Sequence, residues 1–294
     1  MTDYSSCKRL SQYRFLPQEA VGQSSFITVG NLNTHTWESG SGIPLVLVHG
    51  FMGTAFDWRL NVKELASHFA VKAFDLPGFG YSDKPTGFAY TSEGYADFVI
   101  SFLDTIGSKK AVLAGNSMGG EIILQACLKY PDRVSALILI DSGGYPGSVR
   151  FLLFRLLQIP LLGPVIMSLV TPAAVKYVLG RILLHKKQIT DDIVKYYYAV
   201  YRTLNARRIP PVVVRNMIKD ESFIQARLKE INCPVLIIWG AGDKVIPPYY
   251  AQLFNQEISK SKLVIVDDAG HLPQLDNPDA VNKSIIDFLT DFTR

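Results

Sequence analysis

Residues 113–120 read LAGNSMGG, in which a serine has a glycine two positions away on either side. The apolar run that leads into it is typical of a buried strand, and the segment MGGEIILQACLKY after it is typical of a helix. A serine in such a strand-to-helix turn is exposed for attack on a carbonyl, and the amide end of the helix favours negative charge. The pattern indicates a nucleophile at Ser117, with Gly115 and Gly119 allowing a tight turn; a structural turn serine is the alternative.

The chain on either side of this turn alternates between apolar runs and helical patterns. Strands are predicted at SSFITVG, NTHTWES, IPLVLVHG, FAVKAFDLPG, KAVLAGNS, VSALILIDS, CPVLIIWGAGD and KLVIVDDAGH, the first two joined by a turn at Gly30 and Asn31. This alternation predicts an α/β fold with a mostly parallel sheet covered by helices on both faces. It stops at residues 143–232, where only helical patterns occur. We therefore predict a core domain of residues 1–142 and 233–294, with an inserted helical cap, or lid, over the carboxyl edge of the sheet.

Composition limits which kinds of partner and cofactor the protein is expected to bind. The 294 residues are 48% hydrophobic, which is enough for a large core. The net charge of +4, with no basic run that contains aromatic residues, argues against a nucleic-acid partner. The three cysteines, Cys7, Cys127 and Cys233, match no metal motif, so neither a metal nor an organic cofactor is expected. Because the first residues also lack the apolar core of a signal peptide, we expect a cytoplasmic protein.

A nucleophilic serine needs a base within hydrogen-bond reach. His271 lies in DDAGHLPQLDNP, directly after the last predicted strand, and this loop returns to the sheet edge that carries Ser117. We therefore predict His271 as the base. Structural or surface positions are expected for His35, His68 and His185, and His49 ends a buried strand and is followed by Gly50.

The base in turn needs an acid that orients it and stabilises its protonated form. Asp243 follows the strand PVLIIWG in the loop GAGDKVIPP, at the correct edge of the sheet. Asp141 ends the strand ALILID and points toward the same edge, so it is the alternative acid. The Gly-x-Gly-Asp form of the first loop favours Asp243.

Backbone amides are the expected donors to a developing oxyanion. One should come from Met118, directly after the nucleophile, and the second from Phe51 in the loop HGFMGTAFDW. Gly50 and Gly53 in this loop would let the backbone approach a substrate oxygen closely.

Five motifs, read together and in order, identify a superfamily. LVLVHGFMGTAFDW, FDLPGFGYSDKP, LAGNSMGGEIILQACLKYPDRV, WGAGDKVIPP and AGHLPQLDNP resemble the α/β-hydrolase superfamily over nearly the whole core. The resemblance implies the α/β-hydrolase fold with an eight-stranded sheet, a helical cap and a triad of Ser117, Asp243 and His271. GNSMGG and DLPGFGYSDKP look most like carboxylesterases and meta-cleavage product hydrolases, which cut a carbon–carbon bond in vinylogous diketones. Haloalkane dehalogenases and epoxide hydrolases carry aspartate at the nucleophile position and are set aside.

Two further features favour an ester substrate. The carbon–carbon hydrolases usually have tryptophan after the catalytic histidine, where this chain has Leu272. The cap segment FLLFRLLQIPLLGPVIMSLV is apolar and predicts a pocket for an apolar acyl or alcohol group. Arg202, Arg207 and Arg208 are the cap residues that could instead hold a carboxylate, although arginines of this kind are more often solvated.

The leading interpretation is a serine hydrolase that cleaves carboxylic esters of apolar acyl groups through an acyl-enzyme on Ser117. The alternatives are a carbon–carbon bond hydrolase with the same triad, and a non-catalytic ligand-binding receptor on the same fold. Contact of the lid segment 151–170 with a membrane is a further hypothesis. A spanning helix at residues 156–175 is disfavoured by Pro160, Pro164 and Pro172.

Overall fold

The computed structural model of the protein describes residues 23–293, so Cys7 and the first part of the predicted core domain lie outside the described residues. Eight strands form one sheet: β1 Gln23–Val29, β2 Leu32–Ser39, β3 Pro44–Val48, β4 Ala70–Phe74, β5 Ala111–Asn116, β6 Val134–Ile140, β7 Val235–Gly240 and β8 Ser261–Val266. The strand order is β1-β2-β4-β3-β5-β6-β7-β8, with β1 to β2 and β2 to β4 antiparallel and every other pair parallel. The predicted mostly parallel sheet is confirmed.

The predicted first hairpin is also confirmed. Val29 pairs with Leu32, which leaves Gly30 and Asn31 as the two-residue turn. Gly30 has a φ of +61°, a conformation that glycine adopts without steric cost.

Eleven α-helices lie within the described residues: α1 Val62–Leu65, α2 Ser92–Thr105, α3 Met118–Lys129, α4 Leu152–Leu157, α5 Leu162–Ser168, α6 Pro172–Ile182, α7 Asp191–Val200, α8 Leu204–Ala226, α9 Tyr249–Glu257, α10 Pro273–Asp276 and α11 Pro278–Thr293. The central strands β5 and β7 are buried at every position because helices cover both faces of the sheet. Their continuous apolar runs are what a doubly covered parallel sheet requires.

The chain between β6 and β7 contains α4 to α8 and no strand. The boundaries predicted at residues 142 and 233 fall in the connections that follow β6 and precede β7. Pro160 separates α4 from α5, and Pro172 begins α6, in accord with helices interrupted by proline. No single described helix combines the length and apolar composition needed to cross a bilayer; α5 and α6 meet that requirement only together, across a bend of 109°.

Candidate active site

Ser117 occupies the turn between β5 and α3. Its backbone has φ +55° and ψ −118°, which is a strained conformation for a residue with a side chain. A Cβ atom on Gly115 would lie 2.4 Å from the carbonyl carbon of Gly119, and one on Gly119 would lie 2.3 Å from the carbonyl oxygen of Val48. Both predicted glycines are therefore required by close backbone packing, which holds the strained turn.

The structure brings Ser117, His271 and Asp243 into one hydrogen-bonded chain. His271 Nε2 lies 3.0 Å from Ser117 Oγ, and His271 Nδ1 lies 2.7 Å from Asp243 Oδ2. Asp243 Oδ1 accepts from the backbone N–H groups of Val245, at 2.7 Å, and Ile246, at 3.1 Å. Because an ionised carboxylate faces Nδ1, that nitrogen carries the proton and Nε2 is free to accept one from the serine.

Asp141, the alternative acid, lies behind Asp243 rather than against the histidine. It is fully buried and accepts from the backbone N–H of Gly240 at 3.1 Å. Burial and the Asp243 carboxylate hold the pKa of Asp141 well above its usual value, and the protonated side chain donates a hydrogen bond to Asp243. The geometry thus gives Asp243 the contact with His271 and leaves Asp141 as its uncharged support.

Asp141, Asp243 and His271 form the one group among the described residues whose His, Asp, Glu or Cys ligand atoms lie close enough together to hold a metal ion. The ligand atoms of Asp141, Asp243 and His271 lie within 4.8 Å of one another. However, the His271 nitrogen and the Asp243 oxygen that a metal would need are already hydrogen-bonded to each other. The arrangement fits proton transfer better than metal coordination.

The backbone of His271 is fixed on both sides. Asn116, to which the sequence assigned no role, donates from Nδ2 to the carbonyl oxygen of His271 at 3.1 Å and to that of Ile140 at 3.2 Å. The N–H of His271 donates to the carbonyl oxygen of Ile182, at the end of cap helix α6, at 3.0 Å. Asn116 and the cap therefore jointly position His271.

A second set of contacts ties the same stretch of cap to the core. The Asp276 carboxylate accepts from the N–H groups of Leu184 at 3.0 Å, His185 at 2.9 Å and Gly270 at 2.9 Å. Leu272, which stands where the carbon–carbon hydrolases usually have tryptophan, is buried and clusters with cap residue Leu183. These bonds and this packing join residues 182–185 to the loop that carries the histidine.

The loop after β3 is oriented by His49. The N–H of Leu76 donates to His49 Nε2 at 2.9 Å, so the ring proton sits on Nδ1 and is donated to the carbonyl oxygen of Gly50 at 2.7 Å. The N–H of Gly53 donates to that same carbonyl at 3.0 Å. In a trans peptide the N–H of Phe51 points the opposite way. His49 is thus a positioning residue for the Phe51 amide.

Phe51 and Met118 both line the cavity beside Ser117. Neither backbone N–H donates to another group within residues 23–293. A Cβ atom on Gly50 would lie 3.2 Å from Ser117 Cβ, so the loop passes directly beside the nucleophile. Two unpaired amides at this place have the arrangement expected of an oxyanion hole.

The cavity at Ser117 is small, about 30 Å³, which is room for one or two water molecules. Its lining is mostly apolar: Phe51, Met118, Val149, Phe154, Val213, Val214, Met217 and Ile246, with Ser117 and Gly143. Two carboxyl groups complete it, Glu121 from α3 and Glu221 from cap helix α8. Among residues 23–293, no lysine or arginine lines it. The apolar pocket expected from the cap sequence is therefore present, but with an acidic wall that the sequence analysis missed.

Both glutamates are 4% exposed. Ser92 Oγ donates to Glu121 Oε1 at 2.5 Å, and the N–H of Gly147 donates to Glu221 Oε2 at 3.3 Å. Burial, reinforced by the nearby Glu221, raises the pKa of Glu121 well above its usual value. Burial raises the pKa of Glu221 to about 7. Burial thus reduces the negative charge that the pair carries at neutral pH, and two carboxyl groups offer no attraction to an anion.

The cap arginines do not reach this cavity. Arg202 and Arg208 are exposed, and the Arg207 guanidinium binds the backbone carbonyls of Tyr201, Ser168 and Val170. The hypothesis that one of them holds a substrate carboxylate finds no support in this geometry.

The remaining histidines have structural or surface positions, as expected. His35 is buried against Asp75, with Nδ1 2.9 Å from its carboxylate. His68 is exposed, and His185 Nε2 lies 3.0 Å from Asp268 on the surface.

Comparison with known proteins identifies the family. Residues 45–284 match the sequence model of the Alpha/beta hydrolase family, and the chain belongs to this family. The fold, with its mostly parallel eight-stranded sheet, is that of an α/β-hydrolase. The protein is thus a hydrolase of the alpha/beta family, of which a catalytic triad is typical.

Relatives carry two kinds of activity in their names. An uncharacterised hydrolase, YugF, of Bacillus subtilis is 29% identical over 92% of this chain and 99% of its own. The 2-hydroxy-6-oxononadienedioate/2-hydroxy-6-oxononatrienedioate hydrolase of Comamonas testosteroni is 27% identical over 90% of this chain and 96% of its own. The structure of a thermophilic esterase from Thermogutta terrifontis is 26% identical, with a TM-score of 0.73, and covers 92% of this chain and 98% of its own. The names of these relatives thus include both an esterase and a dienedioate hydrolase.

Proposed function

We propose that the protein is a serine hydrolase that cleaves carboxylic esters with an uncharged, apolar acyl group. The observation that carries this proposal is the cavity lining, which is mostly apolar, contains Glu121 and Glu221 and includes no basic residue from the part of the chain that the structure describes. The Comamonas testosteroni relative is named for dioate substrates, which carry two carboxylates. A carboxylate in this cavity would face other carboxyl groups without a cation to balance it, at a cost in binding free energy.

The geometry supports a two-step mechanism. Ser117 Oγ attacks the ester carbonyl while His271 Nε2 takes its proton, and Asp243 stabilises the resulting imidazolium. The amides of Phe51 and Met118 donate to the oxyanion. Collapse of the tetrahedral intermediate releases the alcohol, which takes the proton from His271. Water, activated by the same histidine, then hydrolyses the acyl-enzyme.

Carbon–carbon bond hydrolysis is the second candidate. The relatives named as dioate and muconate semialdehyde hydrolases favour it, at 27% and 26% identity over 90% and 94% of this chain. The same triad and oxyanion donors would serve. Against it stand the acidic wall of the cavity and the leucine at position 272.

A matched pair of esters tests the proposal. We expect p-nitrophenyl hexanoate to be cleaved with a kcat/KM at least about 100-fold above that of the p-nitrophenyl monoester of adipic acid, which has the same six carbons with a carboxylate in place of the terminal methyl group. A 2-hydroxy-6-oxo-dienedioate is assayed beside them. Faster turnover of the dienedioate than of both esters would overturn the proposal in favour of carbon–carbon cleavage.

The buried Glu221 makes stability depend on pH. Its folded pKa of about 7 exceeds its unfolded value, so the folded state binds more protons and loses stability as the pH rises from about 4.5 to 7. Glu221→Gln keeps an acceptor for the Gly147 N–H and removes this loss. At pH 8 the variant should gain about 3 kcal/mol in free energy of unfolding over the parent, against less than about 1 kcal/mol at pH 5.

Urea unfolding at the two pH values measures this gain, with exposed Glu64→Gln as the matched control. A Glu221→Gln gain of equal size at pH 5 would contradict the assignment, since a pH-independent gain reflects packing rather than titration.

A further inference from the structure

The outer surface of α4 and α5 is unusually apolar for an exposed part of a protein. Leu161 is 85% exposed and Leu169 is 68% exposed, the largest values among the big hydrophobic residues of the described chain. We call the set of exposed apolar residues here the lid face; it consists of Leu152, Ile159, Leu161, Leu162, Val165 and Leu169. A run of this kind marks an interaction surface more often than chance exposure does.

The chain segment that carries the lid face has charges of one sign. Residues 142–190 contain no aspartate or glutamate and six basic residues: Arg150, Arg155, Lys176, Arg181, Lys186 and Lys187. Among the described residues only Lys176 of these has an acidic partner, Asp191, at 3.8 Å. Arg155 and Leu152 are exposed one helical turn apart on α4, so charge and apolar surface share a face.

The conformation of Leu161 adds a second indication. Its φ is +69°, a region that glycine enters more easily than leucine does. An exposed leucine in this conformation does not stabilise the fold, because it buries little apolar surface and its backbone conformation is strained. The residue is therefore better explained by what it contacts outside the chain.

The same helices cover the active site. Phe154, on α4, lines the cavity and contacts the ring of Phe51 with centroids 5.5 Å apart. The cavity of about 30 Å³ is too small for an acyl chain, so part of its lining, to which α4 contributes Phe154, has to move before an ester can enter. The far end of α6, by contrast, is tied to the core by the hydrogen bond from the His271 N–H to the Ile182 carbonyl oxygen.

We propose that the lid face docks on the surface of an anionic phospholipid bilayer. The leucines and isoleucine would enter the boundary between headgroups and acyl chains, while the arginines and lysines contact anionic headgroups. A second copy of this chain fits less well, because a symmetric contact would oppose two surfaces of the same positive charge. Docking does not depend on the proposed esterase activity; if both hold, the docked lid would give Ser117 access to lipid esters.

Vesicle co-sedimentation tests the docking, with Ser117→Ala as the background so that no lipid is hydrolysed. Vesicles of phosphatidylcholine alone are compared with vesicles that also contain phosphatidylglycerol. We expect binding to the anionic vesicles and weak or no binding to the neutral ones. Adding Leu161→Ser and Leu169→Ser should weaken binding at least about tenfold, because two leucines lose their place in the bilayer interface.

The matched control adds Leu60→Ser and Ile265→Ser, two exposed apolar residues outside the cap. It should bind like the parent, and every variant should keep its melting temperature. Equal loss of binding in the control, or no binding to anionic vesicles by the folded parent, would overturn the proposal. So would a dimer in sedimentation velocity that Leu161→Ser and Leu169→Ser dissociate, which would assign the lid face to a second copy.

Discussion

Replacing Ser117 by alanine should lower kcat for a p-nitrophenyl ester by about 10⁵-fold or more. The nucleophile is lost outright, and what remains is the contribution of the oxyanion donors and of substrate binding. The turn itself should survive, because Gly115, Gly119 and the packing around them are unchanged. Stopped-flow measurement of p-nitrophenol release should show a burst in the parent and none in the variant.

A matched control tests whether the loss of activity is specific to Ser117. Ser148 is buried, and its hydroxyl has no hydrogen-bond partner among the described residues, so Ser148→Ala removes a comparable serine away from His271. It should keep both the burst and labelling by a fluorophosphonate probe. Esterase turnover retained by Ser117→Ala would contradict the mechanism in which Ser117 is the nucleophile. Failure of the parent to label or turn over any ester would favour the receptor interpretation.

Asp243→Asn should lower kcat by about 10⁴-fold while leaving the fold intact. The amide cannot stabilise an imidazolium as a carboxylate does, and its NH₂ group can hold His271 in the wrong tautomer. Asp141→Asn should cost less than about tenfold, because the neutral Asp141 side chain already acts as a hydrogen-bond donor to Asp243, and an amide donates in the same way.

The pair of variants therefore decides between the two acids. Single-turnover kinetics with the same ester measures both, and thermal unfolding confirms that each variant folds. If Asp141→Asn shows the large loss and Asp243→Asn the small one, the roles assigned to the two carboxyl groups are reversed.

The elements that the sequence predicted are those whose signals are local. β5, Ser117 and α3 follow one another within 20 residues, and the apolar runs of β3, β6 and β7 need no partner to be recognised. His271 and Asp243 could be predicted because each directly follows a strand, and the carboxyl ends of parallel strands meet at one edge.

No local sequence pattern indicated that Glu121 and Glu221, the acidic wall of the cavity, would lie together. Glu121 lies four residues after Ser117, one helical turn away, and this spacing could have placed it near the nucleophile. Glu221 lies 100 positions further along, on a helix whose packing over the sheet depends on the whole cap. Its approach to Ser117 is a property of tertiary packing that no local pattern carries.

The roles of Asn116 and Ile182 were hidden for another reason. Ile182 acts through its backbone carbonyl, which every residue possesses, so no residue type could reveal the bond to His271. Asn116 forms side-chain bonds to two carbonyls, one at the end of β6 and one in the loop after β8, and these become neighbours only once the sheet has formed.

The contacts of residues 182–185 with His271 and Asp276 limit how this protein could be engineered or could diverge. A cap grafted from a relative would have to supply a carbonyl for the His271 N–H and two amides for Asp276. Without these contacts, His271 would no longer be held in position. The substrate range could therefore be changed most safely by replacing residues 150–170 alone. The contact between residues 182–185 and the loop that carries His271 would then be kept unchanged.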